Sequence, residues 1–350
     1  MAVRAGMGRV DVGEPNGAPA IRGGKAPMPE VIAGDDPPVP AFNSDTVMDV
    51  VGEAARSIAL PYDAAYTLVD QRVRVRGNRA DLQQAMSLVW RPFADSATSE
   101  SARRYTYDLI DLAQAGIDHP WAARFVLLRE GRVLYGSARG DDLVDYADWH
   151  AASTALTAAS TYAVFHSAVL DDHGRGLLLP AASGSGKTTL TAALVCAGFG
   201  YLSDEAALVD PATRRVHAYP KPLSIKRPLP TARLLALPDE VAREAPRELG
   251  RVWHLDPTRL AADCRREATE VRAIIFPRYE PHGRTALQSL SRSEAALRLL
   301  RCGVNDRARP PHGVALATAL AADAMCYDLV VNDLAAAVAL VADVCARGAA

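Results

Sequence analysis

Paired cysteines, a surplus of either charge and long apolar runs are all missing from this 350-residue sequence. Cys196, Cys264, Cys302, Cys326 and Cys345 stand singly, with no Cys-x-x-Cys and no histidine at metal-ligand spacing. That excludes a disulfide framework and a zinc-finger site, and it fits a reducing compartment. Cys196, Cys302 and Cys326 have apolar neighbours and are expected to be small core residues. Lys and Arg number 39 against 41 Asp and Glu, a formal net charge of −2. Without a field of positive charge, a nucleic-acid backbone is not an expected partner. No apolar run approaches the ~20 residues that cross a bilayer, so no membrane partner is expected. The stretch Met1–Pro40 carries Arg4, Arg9, Arg22 and Lys25 without an apolar h-region, so it does not read as a secretory leader. The expected location is the cytoplasm.

What is present is the balance of a globular protein with a sizeable core: 49% hydrophobic and 23% charged residues. The length suits two domains. Residues 1–44 are rich in Gly, Ala and Pro and include Asp35-Asp36-Pro37-Pro38-Val39-Pro40. Such a segment buries too little surface to offset its ordering entropy, so a disordered lead-in is expected. Residues 45–150 read as a small α+β recognition or docking domain. Tyr66–Arg76 ends in strict alternation and predicts a strand, Asp81 is placed to cap a helix through Leu82, Met86 and Val89, and Ala123–Leu128 and Arg132–Tyr135 predict a strand pair about Glu130-Gly131.

From 151 to 350 short apolar runs alternate with helical stretches, the pattern of an α/β domain. Helices are expected over Ala151–Val164, Thr188–Ala197, Ala295–Leu300 (behind a capping-box pattern at Ser291-Arg292-Ser293-Glu294) and Asp333–Val344. Strands are expected at Val169-Leu170, Gly176–Leu179, Leu208-Val209, Val271–Phe276 and Tyr327–Val331.

One motif carries chemistry. In Leu177-Leu178-Leu179-Pro180-Ala181-Ala182-Ser183-Gly184-Ser185-Gly186-Lys187-Thr188-Thr189 an apolar strand enters a small-residue loop, and Lys-Thr opens a helix. Glycines let backbone N–H groups turn toward phosphate oxygens, and the helix N-terminus adds partial positive charge. Ser183 to Thr189 are therefore the candidate ATP-binding residues, with Lys187 reaching the β- and γ-phosphates and Thr188 a ligand for Mg²⁺. The usual first glycine of this pattern is Ala181. Downstream, Asp204-Glu205 ends an apolar run; one acid is suited to hold the metal and the other to take a proton from an attacking hydroxyl.

The stretch His166–Val209 resembles the catalytic domain of HPr kinase/phosphorylase and the bacterial kinases related to it. The likeness rests on order and spacing. His166 opens a strand, Gly174-Arg175-Gly176 precedes the loop, and Asp204-Glu205 follows it. His166 stands 21 positions before Lys187 and Asp204 stands 17 after it. The resemblance implies a P-loop kinase domain of the HPr kinase/phosphoenolpyruvate carboxykinase type behind the small α+β domain. It implies Asp204 as the catalytic base, Glu205 as a metal ligand and His166 as the residue that tunes the acid. Lys226, in Leu223-Ser224-Ile225-Lys226-Arg227-Pro228, stands nearest to the arginine of the family's signature, and Arg278, after a buried strand, is a candidate phosphate or substrate contact. Thr188-Thr189 and Glu205 depart from the pattern of HPr kinase itself. Thr188-Thr189 is nearer the pairing of the related phosphoenolpyruvate carboxykinases, and with these departures the chain resembles the divergent relatives, some of which phosphorylate peptide natural products. HPr kinases assemble as oligomers, so a homo-oligomer is compatible with the resemblance.

The expectation is an ATP- and Mg²⁺-dependent kinase acting on a hydroxyl of a peptide, protein or small metabolite. The alternative is a nucleotide-binding regulatory or scaffold protein without turnover.

Overall fold

A computed structural model describes residues 52–54, 56–94, 103–117, 123–226, 247–249 and 252–347. The expected lead-in, 1–44, lies outside them. The described chain is a mixed α/β protein with three sheets.

The first sheet joins β1 (Tyr62–Leu68), β2 (Gln71–Gly77), β3 (Arg103–Asp111), β4 (Phe125–Arg129) and β5 (Arg132–Ser137) in sequence order. β2 and β3 are parallel and the other neighbours antiparallel. Helices α1 (Ala80–Trp90) and α2 (Gly140–Ala158) bury Leu82, Met86, Val89, Leu143 and Ala147 with Val73 and Val75 in one core. The run Tyr66–Arg76, expected as one strand, is a hairpin, because Val69 adopts φ 60° and turns the chain beside Asp70. Asp81 is not the helix cap. It lies in the first turn, paired with Arg79, which also reaches Asp111.

The helix expected over Ala151–Val164 instead runs from Gly140 to Ala158, so residue 150 lies in its interior. It stops where Asp70 accepts hydrogen bonds from the amides of Ser160 (2.7 Å) and Thr161 (2.9 Å). Val164 belongs to the next strand, β6 (Ala163–Asp172), as expected of a β-branched residue beside Phe165.

The large sheet has the order β10-β9-β6-β7-β14-β16-β15, with β8 also paired to β6. Its strands are β6, β7 (Arg175–Pro180), β8 (Gly200–Ser203), β9 (Ala206–Val209), β10 (Arg215–His217), β14 (Ala268–Tyr279), β15 (Ala286–Ser289) and β16 (Met325–Val331). β7, β14 and β16 are parallel neighbours, and β6 runs antiparallel to β7. After Arg175, β7 is buried on both faces, the mark of a strand covered by helices. Leu177 and Leu179 pack with α3 (Lys187–Cys196) and α6 (Leu334–Arg347), while Leu178 packs with α4 (Arg292–Arg301) and α5 (Gly313–Asp323). Ser291 caps α4 by accepting from the Glu294 amide. The third sheet is small: β11 (Leu223–Lys226), β12 (Arg247–Leu249) and β13 (Val252–Leu255).

The two large sheets share a core. Val164, Leu208, Tyr219 and Val304 join the cluster under β1–β5, and the Phe93 and Tyr219 rings meet at 4.9 Å. Cys326 is buried as expected, but Cys196 is exposed and Cys302 only partly covered, because α3 turns Cys196 outward at its last residue. No helix among the described residues is long and apolar enough to cross a membrane.

Candidate functional site

The strand β7 delivers the chain to loop 181–186 and α3 carries it away. Gly184 and Gly186 take φ values of 82° and 83°. A Cβ at Gly184 would meet nothing within 4 Å, so the left-handed backbone, not crowding, calls for glycine there. The Tyr279 amide, at the end of β14, donates to the Ser185 carbonyl (3.1 Å) and backs the loop. Ala181 is nearly buried at the loop entry. Gly186 is the N-cap of α3, with no side chain capping its first amides.

Lys187, the first residue of α3, is 7% exposed, and its Nζ donates to the Asp204 backbone carbonyl at 2.5 Å. That bond joins the head of α3 to the turn between β8 and β9. Ser203 shapes the turn: its hydroxyl accepts from the amides of Glu205 (3.1 Å) and Ala206 (3.0 Å). β6 runs alongside. Val169 pairs with Ser203 and His166 with Ala206, so the two acids sit between successive pairings of the same strand. His166 is itself buried, and its amide donates to the Cys302 carbonyl at 2.7 Å.

Asp204 is buried and its Oδ1 has no hydrogen-bond partner. Burial pushes its pKa up, and the charge of Glu205 adds to the rise; Lys187 and the hydroxyls of Thr188 and Thr191 oppose it. The Thr191 hydroxyl is otherwise engaged with the Lys187 carbonyl (2.9 Å). A carboxylate kept short of hydrogen bonds in this way is a better proton acceptor than an exposed one.

Lys187 and Thr188 thus lie against Asp204, Glu205 follows it in the turn, and His166 is placed opposite Ala206, the next residue, by the pairing of β6 with β9. Ser183, Gly184, Ser185, Gly186 and Thr189 form the adjoining loop and first helical turn. Lys226 ends β11 in the small third sheet. Arg278 is half exposed at the end of β14, next to the residue that backs the loop, and pairs with Glu280 and, at 3.6 Å, with Asp328.

Sequence reasoning missed a buried cation. Lys221 is 6% exposed and lies between Asp148 of α2 (2.8 Å) and Glu205 (3.2 Å). Asp148 in turn accepts from the Trp90 indole (2.8 Å). Burial alone would lower the Lys221 pKa, but the two carboxylates hold it above its ordinary value. The available signal was a lysine between two prolines, Pro220-Lys221-Pro222, and an aspartate on the apolar side of a helix. Neither names its partner.

Among the described residues no group of three or more His, Cys, Asp or Glu is placed to hold a metal ion. A cation here would rely on hydroxyl and carboxylate oxygens together with a ligand's own phosphates. Magnesium is bound in that manner, through one or two carboxylates and phosphate oxygens. The Thr188 hydroxyl, in the first turn of α3, and the Glu205 carboxylate, in the turn after β8, are donors of that chemistry.

No protein-family model matches the chain. No curated protein matches it either. Among solved structures, an Hpr(Ser) kinase/phosphatase from Coxiella burnetii is similar at 9% identity and a TM-score of 0.26, over 53% of this chain and 98% of that one.

Proposed function

We propose that the protein is an ATP-dependent kinase that transfers the γ-phosphoryl group to a hydroxyl. The observation that carries this reading is the bond between Lys187 at the head of α3 and the backbone of Asp204, beside a carboxylate oxygen left without a partner.

Each group has a part. The amides of Ser183–Gly186 and the N-terminus of α3 cradle the phosphates. Lys187 exchanges its contact with the Asp204 carbonyl for the β- and γ-phosphates, where its charge follows the negative charge of the transferred group. Thr188 and Glu205 would hold Mg²⁺, which supplies neutralisation of the phosphate oxygens when bound. Asp204 accepts the proton of the acceptor hydroxyl. The acceptor oxygen then forms its bond to the γ-phosphorus as the bond to the bridging β–γ oxygen breaks, leaving ADP, a phosphoester and a protonated Asp204. His166, on β6 opposite Ala206, would position the acid. Phosphoryl transfer asks mainly for positioning and charge stabilisation, so this sparse set is sufficient.

The test is transfer of label from γ-labelled ATP to a panel of peptide and small hydroxylated acceptors, intact chain against Asp204→Asn. Label should pass to at least one acceptor class and fall at least ~100-fold in the variant, the scale of a lost general base. Equal transfer by both proteins would remove Asp204 from the role.

A further inference from the structure

The Lys221 ammonium joins two carboxylates. An ammonium lost from water needs an opposing charge and acceptors for its three N–H donors, and Asp148 at 2.8 Å supplies the charge and one of those acceptors. Asp148 is just as buried and is completed on its other oxygen by the Trp90 indole. The contact with Glu205 at 3.2 Å supplies a second acceptor, so the ammonium that Asp148 anchors also holds the Glu205 carboxylate. Glu205 is also the most open of the three, with 26% of its side chain exposed against 7% for each of the others.

The backbone that presents Lys221 is held from several sides. The Tyr201 hydroxyl donates to its carbonyl (2.6 Å), its amide donates to the Tyr219 carbonyl (2.9 Å), and prolines flank it. Asp148 and this backbone anchor the ammonium without any contribution from Glu205. The more open Glu205 is the partner with freedom to adjust. A glutamate side chain is rich in rotamers, and fixing it in advance removes an ordering cost when the carboxylate binds a ligand.

We propose that Lys221, anchored by Asp148, is a positioning residue that fixes the Glu205 carboxylate for a divalent cation, so that helix α2 of the first sheet completes the phosphate site. The proposal rests on the nucleotide-binding reading above. It makes the first sheet a structural requirement of the site, through the chain Trp90–Asp148–Lys221–Glu205.

The experiment uses the full chain and Mn²⁺ as a spectroscopic stand-in for Mg²⁺, with Mn²⁺ affinity read by electron paramagnetic resonance in the presence of ATP. The principal variant is Asp148→Asn with Lys221→Met. It removes one charge of each sign, so the net field at the site is little changed, and Asn keeps an acceptor for Trp90. Replacing a buried ion pair on both sides is far better tolerated than removing one partner. Mn²⁺ should bind about 10- to 100-fold more weakly, the range seen when a group supporting a metal ligand is lost, while metal-free ATP binds within about twofold of the parent. Lys221→Arg, with Asp148 intact, should keep most of the Mn²⁺ affinity, because a guanidinium can still reach both carboxylates. Unchanged or tighter Mn²⁺ binding in a double variant that melts with the parent would overturn the proposal and leave the kinase reading intact. If the parent itself binds neither ATP nor Mn²⁺ with ATP, both fall together.

Discussion

Asp111, in the first sheet, and Asp204, at the acidic turn of the large one, are both removed from solvent, yet their surroundings differ in kind. Asp111 accepts from the amides of Ala113 (3.1 Å) and Gln114 (3.3 Å) and from Arg79 and Arg124. Burial would raise its pKa, but those arginines and amides hold it down at about 2. Asp204 has one oxygen without a partner, and its pKa moves up. The first carboxylate is spent on the fold: it ties the end of β3 to the start of α1. The second is left able to do something else. Burial of a charge is thus not by itself a mark of function; burial with an unmet hydrogen-bonding capacity is the sharper sign.

The largest effect expected on the large-sheet side is at Lys187. With MgATP at about a hundredfold excess over Kd, the parent should gain about 2.7 kcal/mol of stability by mass action. Lys187→Ala should abolish that gain, read as a melting shift with and without MgATP. An unchanged shift would remove the loop from phosphate binding.

The two aspartates should then respond in opposite directions. Asp111→Ala leaves two partly exposed arginines and two amides without their acceptor, and should cost about 2 to 3 kcal/mol in urea unfolding. Its MgATP shift should persist. Asp204→Asn relieves a disfavoured buried charge, so at neutral pH it should melt at or above the parent even as turnover collapses. A destabilised Asp204→Asn would mean that this acid, too, serves the fold.

The smallest effect sharpens the same contrast through pH. His150, on α2 beneath the first sheet, hydrogen-bonds the Tyr107 hydroxyl through Nδ1 (2.9 Å). Burial, with the charge of Arg129 adding to it, lowers its pKa to about 4. The unfolded chain, with an ordinary histidine near about 6.5, binds more protons between those values. Stability is therefore full above about pH 6.5 and is lost as pH falls toward about 4. His150→Gln should flatten that part of the melting-temperature profile by a few degrees. A variant that follows the parent would show that another group governs the slope.

Much of the large sheet was legible in sequence. β7, α3, β14, β16 and α6 lie where apolar runs and helical spacing put them, because strands covered on both faces are continuously apolar and leave a strong local signal. The first sheet was less so. The Tyr66–Arg76 hairpin turns at Val69, a β-branched residue that gives no hint of a left-handed backbone, and Asp70 is bound to an amide 90 residues away. Helix α2 begins earlier than local spacing suggests, because its first turns mix acidic and apolar residues, and what stops it is Asp70, invisible to any local window.

The chain's own order of residues determined the strand–loop–helix unit with its glycines, its lysine and the acidic pair beyond, since these depend on backbone preferences and on charges close in sequence. Only the tertiary structure decided that Lys187 meets the turn at Asp204, that one oxygen of that acid goes unsatisfied, and that Lys221 joins Glu205 to Asp148 of α2. Those contacts are set by how sheets and helices pack, and packing brings together residues whose separation along the chain carries no information about their distance in space.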